Sequence, residues 1–186
     1  MATPRRNLIS ISNTPYYHCI SRCVRRAYLC GQDPLTGRSY EHRRDWVEKK
    51  LLQLGRIFCI DICAYAVMSN HTHLVLHIDI AKAKRLNNKA ILIRWHKLFK
   101  STFLCQRFLN GELLTQVELA SVNTRINIYR ERLSSISWFM RVLNEGIARK
   151  ANQEDDCKGR FWEGRFKSQA LLDEAALAAC LAYVDL

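Results

Sequence analysis

Met68-Ser69-Asn70-His71-Thr72-His73-Leu74-Val75-Leu76-His77 sets two histidines two residues apart at the head of an apolar, partly β-branched run. A strand sends residues i and i+2 to one face, so His71 and His73 project side by side while Leu74 and Leu76 point the other way into a core. Two imidazoles at that spacing can hold one divalent ion. They can equally be polar residues on the wet face of an antiparallel strand, because His-x-His is short and common. Ser69-Asn70 reads as a tight turn, which makes the preceding run, Gly55 to Met68, the hairpin partner. In that run Phe58, Ile60, Ile62, Ala64 and Ala66 alternate onto one face, and Ile57, Cys59, Asp61, Cys63 and Tyr65 onto the other.

Upstream, residues 1–14 read as a loose basic tail. Pro15 to Cys23 is a strand rich in aromatic and β-branched residues. A turn region follows, with Gly31, Asp33-Pro34 and Thr36-Gly37. Trp46, Val47, Leu51 and Leu54 recur at helical steps and predict a helix from Glu41 to Leu54, stopped by Gly55. Downstream, 79–110 is mostly helical, with a stripe from Ile91 to Phe103. A second helix is predicted over 113–132. A third, capped by Ser134 or Ser135, carries Ile136, Phe139, Met140, Leu143 and Ile147. Residues 152–158 read as an acidic loop. Residues 159–168 feed a fourth strand ending near Leu172, and Asp173 caps a last helix with Leu177, Leu181 and Val184 inward. Strand, helix, strand, hairpin, strand is the front half of a ferredoxin-like or RNA-recognition-like sandwich. The predicted class is α+β: an antiparallel sheet with helices on one face, a helical insertion over 87–158, and one domain over 1–186.

Charge narrows the function. The chain carries 29 Lys+Arg against 17 Asp+Glu, a net +12 in 186 residues, and that excess suits a polyanionic partner, nucleic acid first. Charges interrupt every long apolar run, so no segment is expected to span a bilayer. Asn7 to Ser10 is too short for the apolar core of a signal peptide. None of the eight cysteines forms a Cys-x-x-Cys pair, so reduced thiols in the cytoplasm are expected and a zinc knuckle is not.

Gly159-Arg160-Phe161-Trp162-Glu163-Gly164-Arg165-Phe166-Lys167-Ser168 mixes cations and aromatics at near-alternating positions. Arg160, Arg165 and Lys167 can neutralise phosphates, and Trp162 or Phe161 can stack on an unpaired base. Phe161 and Phe166 can also be core. Arg22, Arg25 and Arg26 follow the first strand, which lies beside the His-x-His strand in this topology, and are candidate contacts for the same nucleic acid. His77 shares a face with His73 but sits roughly 13 Å away along the strand, outside a shared metal site. His18, one strand over, faces the same side as a structural residue or a substrate contact.

Four blocks in order carry a family resemblance: Tyr16-Tyr17-His18 with Ser21-Arg22; residues 64–76, Ala-Tyr-Ala-Val-Met-Ser-Asn-His-Thr-His-Leu-Val-Leu; residues 159–168; and Leu181-Ala182-Tyr183-Val184-Asp185-Leu186. Together they resemble the single-tyrosine HUH transposases, in the REP-associated branch. The resemblance covers 15–78 and 159–186. It implies that His71 and His73 bind a divalent ion, Mg²⁺ or Mn²⁺, and that Tyr183 is the nucleophile on hairpin-bearing single-stranded DNA. It further implies a nucleoid-associated protein of the cytoplasm, monomer or homodimer. The family commonly completes its metal site one helical turn past the tyrosine. Residue 187 would be that position, so a third ligand is expected just past Leu186 and the chain reads as truncated.

Three other readings stay open: a nucleic-acid-binding module of the RNA-recognition type, a domesticated or truncated transposase that binds without cutting, and a metal-dependent nuclease using water in place of Tyr183. The first lacks the usual stacking aromatics, since Cys59, Asp61, His71 and His73 hold the central positions.

Overall fold

The hairpin closed at Ser69-Asn70 is the centre of the sheet. The computed structural model describes residues 14–24 and 27–185; Arg25, Arg26 and most of the N-terminal tail lie outside the described residues. Strand β1 (Tyr16–Arg22) is followed by helix α1 (His42–Ile57), β2 (Ile60–Val67) and β3 (His71–Ile78). Five helices come next: α2 (Ile80–Arg85), α3 (Asn88–His96), α4 (Phe103–Leu109), α5 (Gln116–Leu133) and α6 (Ile136–Glu154). Then β4 (Lys167–Ala170) and α7 (Glu174–Asp185) complete the order. The sheet runs β2-β3-β1-β4, antiparallel throughout.

Each face of the sheet has its own core. Tyr17, Cys19, Leu74 and Leu76 point to the side covered by α1 through α6 and join Leu51, Leu54, Ile91, Phe139 and Met140 in the larger cluster. The opposite face carries Val75, Ala64 and Leu171, on which α7 lays Val184, flanked by Leu177 and Leu181. Among the described residues, six helices therefore share one face, and only α7 crosses the other. The histidines of β3 lie on the face that α7 crosses.

Strand β2 departs from simple alternation. The pairing register with β3 shifts between Ile62 and Ala64, so Cys63 forms a bulge. A bulge inserts one residue and exchanges the faces beyond it. Ile60 and Ile62 therefore belong with the larger core, while Ala64 and Ala66 turn to the α7 side. Those two small residues leave room for a helix to lie close on the sheet.

The helical segment owes its shape to caps. Asp79, Asn87, Thr102 and Thr115 accept from backbone N–H groups at the starts of α2, α3, α4 and α5, and Thr115 forms a full capping box with Glu118. The expected helical stretch over 79–110 is thus three short helices. Helix α1 runs through Gly55 to Ile57, where Arg94 donates to the carbonyls of Arg56 and Ile57. Helix α6 continues into the expected acidic loop as far as Glu154, because Glu154 and Asp155 receive the fully buried Arg43 guanidinium. At the other end Thr14, expected in a loose tail, is buried and donates to the Leu171 carbonyl at 2.6 Å. Part of the positive charge is therefore structural: Arg43, Arg94, Arg107 and Arg130 hold carbonyls or carboxylates within the fold.

Candidate active site

The antiparallel register of β1 and β3 sets His73 opposite Ile20 and His71 opposite Arg22. Side chains at these positions share the α7 face with His18, and with Lys167 on the neighbouring β4. The two histidine rings of the hairpin sit 4.8 Å apart, edge to face. His18 Nε2 lies 2.9 Å from His73 Nδ1. His71 Nδ1 donates to Asn70 Oδ1 at 2.6 Å, a bond that leaves the lone pair of neutral His71 on Nε2.

Helix α7 brings Tyr183 onto this row. Val184 anchors the helix in the smaller core, and the residue before it stands at the open end with 60 % of its surface exposed. Its ring lies edge-on, 5.4 Å from that of His73 and 6.5 Å from that of His18. Tyr183, His71 and His73 then line one pocket of about 560 Å³ with Ile20, Arg22, Asn70, Glu163, Gly164, Arg165 and Lys167. Backbone hydrogen bonds hold the far wall in place: Val24 N–H donates to Phe161 O, and Glu163 N–H donates to Arg22 O.

The surroundings disfavour the charged form of all three imidazoles. Burial, then the charges of His18 and His71, push His73 down to about 4. Burial and the neighbouring Arg22 lower His71, and burial lowers His18. A neutral imidazole offers the lone pair that a metal needs. His73 is 5 % exposed, and its Nε2 is buried without a hydrogen-bond partner. This orphaned nitrogen, on the ring next to that of His71, is a donor that a divalent ion can use. Among the described residues no group of three His, Cys, Asp or Glu side chains is arranged to hold a metal.

The expected site residues divide. Tyr183, His71, His73, Arg22, Arg165 and Lys167 share the pocket; Arg160 lines an adjoining one with Arg22, Asn70 and Glu163. Trp162 is elsewhere: its indole N–H donates to the Asn144 carbonyl of α6 at 2.8 Å, which turns the ring to the other side of the 163–166 segment. Arg25 and Arg26 lie outside the described residues. His77 pairs with Asp61 at 3.1 Å, its ring tilted against Tyr16 at 4.7 Å, and does not line the pocket. The polar pocket residues Asn70 and Glu163, and the bond of His18 to His73, lie outside what the sequence motifs indicate. The cue for Asn70 is its place next to His71; Glu163 pairs with Arg22 only through the β1 register.

All eight cysteines are free, and no described helix is long and apolar enough to cross a membrane. No family model and no curated protein matches the chain. Solved structures do match, among them the following two. One is a REP-associated tyrosine transposase bound to a REP hairpin, at 12% identity and TM-score 0.48, covering 99% of this chain and 70% of that one. The chain is similar to a REP-associated tyrosine transposase. The other is a candidate transposase from Deinococcus radiodurans R1, at 12% identity and TM-score 0.39, covering 91% of this chain and 88% of that one.

Proposed function

We propose that the chain cleaves and rejoins single-stranded, hairpin-bearing DNA through a covalent tyrosine intermediate. The observation that carries this reading is the exposed Tyr183 standing 5.4 Å, ring to ring, from a histidine whose Nε2 is buried and unpartnered. The Tyr183 oxygen attacks phosphorus, the bond from phosphorus to the 3′ oxygen breaks, and a 5′-phosphotyrosine link remains. The phenolic proton is balanced by the proton taken up on the released 3′-hydroxyl. One phosphodiester replaces another, so the strand can be rejoined by the reverse step.

His71 Nε2 and His73 Nε2 would hold Mg²⁺ or Mn²⁺, with water and phosphate oxygens completing the shell. When bound, such an ion polarises the scissile phosphate and neutralises charge developing on it. Asn70 orients His71, and His18 orients His73. Arg22, Arg165 and Lys167 line the pocket as cations for the flanking phosphates, with Arg160 in the adjoining one. A binding protein that no longer cuts is the second reading; what favours it is that no group of three metal-ligating side chains is arranged among the described residues.

Incubation with Mn²⁺ and a labelled hairpin oligonucleotide tests the proposal. The expected result is a protein–DNA adduct that survives SDS and disappears in Tyr183→Phe. An adduct unchanged in Tyr183→Phe would sink the tyrosine mechanism. Strand cleavage that persists in Tyr183→Phe but is lost in His71→Ala would point to a water-using nuclease. Tight binding with no cleavage at all would leave the binding module.

A further inference from the structure

The 163–166 segment is a wall with a pocket on each side. On one side is the His–Tyr pocket. On the other, between α6 and the start of β4, is a second pocket of about 530 Å³. Gly164 and Arg165 line both. Aromatic and apolar groups form the second: Trp138, Trp162, Met140 and Phe166. It also has a charged rim, since Arg141 stands over the Trp138 ring at 4.9 Å and Arg165 reaches in from the shared wall.

One polar atom in its lining lacks a partner. The Asn144 amide donates to Ser21 Oγ at 2.8 Å, while Asn144 Oδ1 is buried and accepts nothing. A buried acceptor without a donor is costly and calls for an N–H. An aromatic lining, a guanidinium face and a buried acceptor without a donor on a lining residue suit a planar group that carries N–H on its edge. Arg132 also stands over the Trp138 ring, at 4.3 Å, so the Trp162 ring and the Arg141 guanidinium are the faces left for stacking, and phosphate alone would leave the Trp162 ring and Asn144 idle. A nucleobase uses all three: its face stacks on indole or guanidinium, its amino or imide edge donates, and its own phosphate meets Arg165.

We propose that this pocket takes one unpaired base of the strand whose phosphate lies in the His–Tyr pocket, the backbone passing over Gly164. The inference rests on the single-stranded DNA reading but needs no cleavage. The geometry at Gly164 supports the path: a Cβ built there meets nothing within 4 Å, so the wall is low at that point and a larger side chain fits the fold while raising it.

The test uses the full chain carrying Tyr183→Phe, in EDTA, with a 20-mer oligonucleotide containing 5-iododeoxyuridine, which photocrosslinks to aromatic residues. Mass mapping is expected to place crosslinks on Trp138, Trp162 or Phe166. Adding Gly164→Phe is expected to abolish them and weaken binding of the 20-mer about tenfold, with unchanged circular dichroism. Crosslinks confined to other residues in a chain that binds the 20-mer, or wild-type affinity in the Gly164→Phe chain, would overturn the proposal. Loss of the tyrosine adduct in the cleavage assay with these crosslinks intact would instead strike the cleavage reading alone.

Discussion

His18 Nε2 and His73 Nδ1 lie 2.9 Å apart across the β1–β3 ladder, with their rings nearly parallel at 22°. Two neutral imidazoles share one proton in such a bond. For His73 Nε2 to present a lone pair to the pocket, Nδ1 must donate and His18 Nε2 must accept. His18 is then the positioning residue that selects the His73 tautomer.

Replacing His18 should accordingly weaken metal binding without touching a ligand. His18→Ala is expected to lower Mn²⁺ affinity by roughly ten- to a hundredfold, read by titration calorimetry. His18→Gln, whose side-chain oxygen can accept from Nδ1, should recover part of the loss. Equal affinity in wild type and His18→Ala would remove the positioning role.

The bulge at Cys63 makes a packing prediction. Ala64 is buried beneath α7, next to Val184. Ala64→Leu adds volume where the sheet has none to give, at about 1–3 kcal/mol. Helix α7 should lift and carry Tyr183 away from His73. Adduct formation is expected to fall at least tenfold while oligonucleotide binding holds. Undiminished adduct formation would mean that the packing of α7 does not set the tyrosine.

Salt dependence reports the phosphate contacts. Each contact with a single strand contributes about 0.7 to the slope of log K against log salt. Lys167→Ala and Arg165→Ala should each flatten the slope by about that amount. The same change at Lys49, on α1 across the sheet, should leave it alone. A slope unchanged in the first two variants would move the DNA off this face.

Acid should loosen the join between α1 and α6. Partial burial pushes the Glu154 carboxyl up, but hydrogen bonds and charge from Arg43 and His42 outweigh it and leave the carboxyl below its ordinary value of 4.5. A depressed folded pKa means stability that is fully present above the unfolded value and lost as pH falls through the folded one. Thermal unfolding should therefore show a midpoint that is steady above pH 5 and drops below about 4.5. Arg43→Met should cost about 3 kcal/mol and flatten that drop. A drop of the same size in Arg43→Met would assign it to other carboxylates.

Much of the site was legible because the strand period is rigid. Leu74 and Leu76 are buried away from His71 and His73, as alternation requires, and Asp173 caps the last helix through its bond to Ala176 N–H. What escaped the sequence came from contacts between distant segments. Cys63 sits in phase with its neighbours, and only the pairing with β3 shows it as a bulge. Glu154 belongs to a helix because Arg43, 111 residues earlier, binds it. Trp162 reads from sequence as able to stack on an unpaired base; only the fold shows its N–H bonded to the Asn144 carbonyl and its ring on the α6 side.

The most direct test of the tyrosine mechanism is the identity of the residue that carries DNA. Trapping the covalent complex on a hairpin oligonucleotide in Mn²⁺, digesting both components and sequencing the modified peptide by mass spectrometry should place the nucleotide on Tyr183. A nucleotide on any other side chain, or a cleaved strand with no modified peptide, would contradict the mechanism.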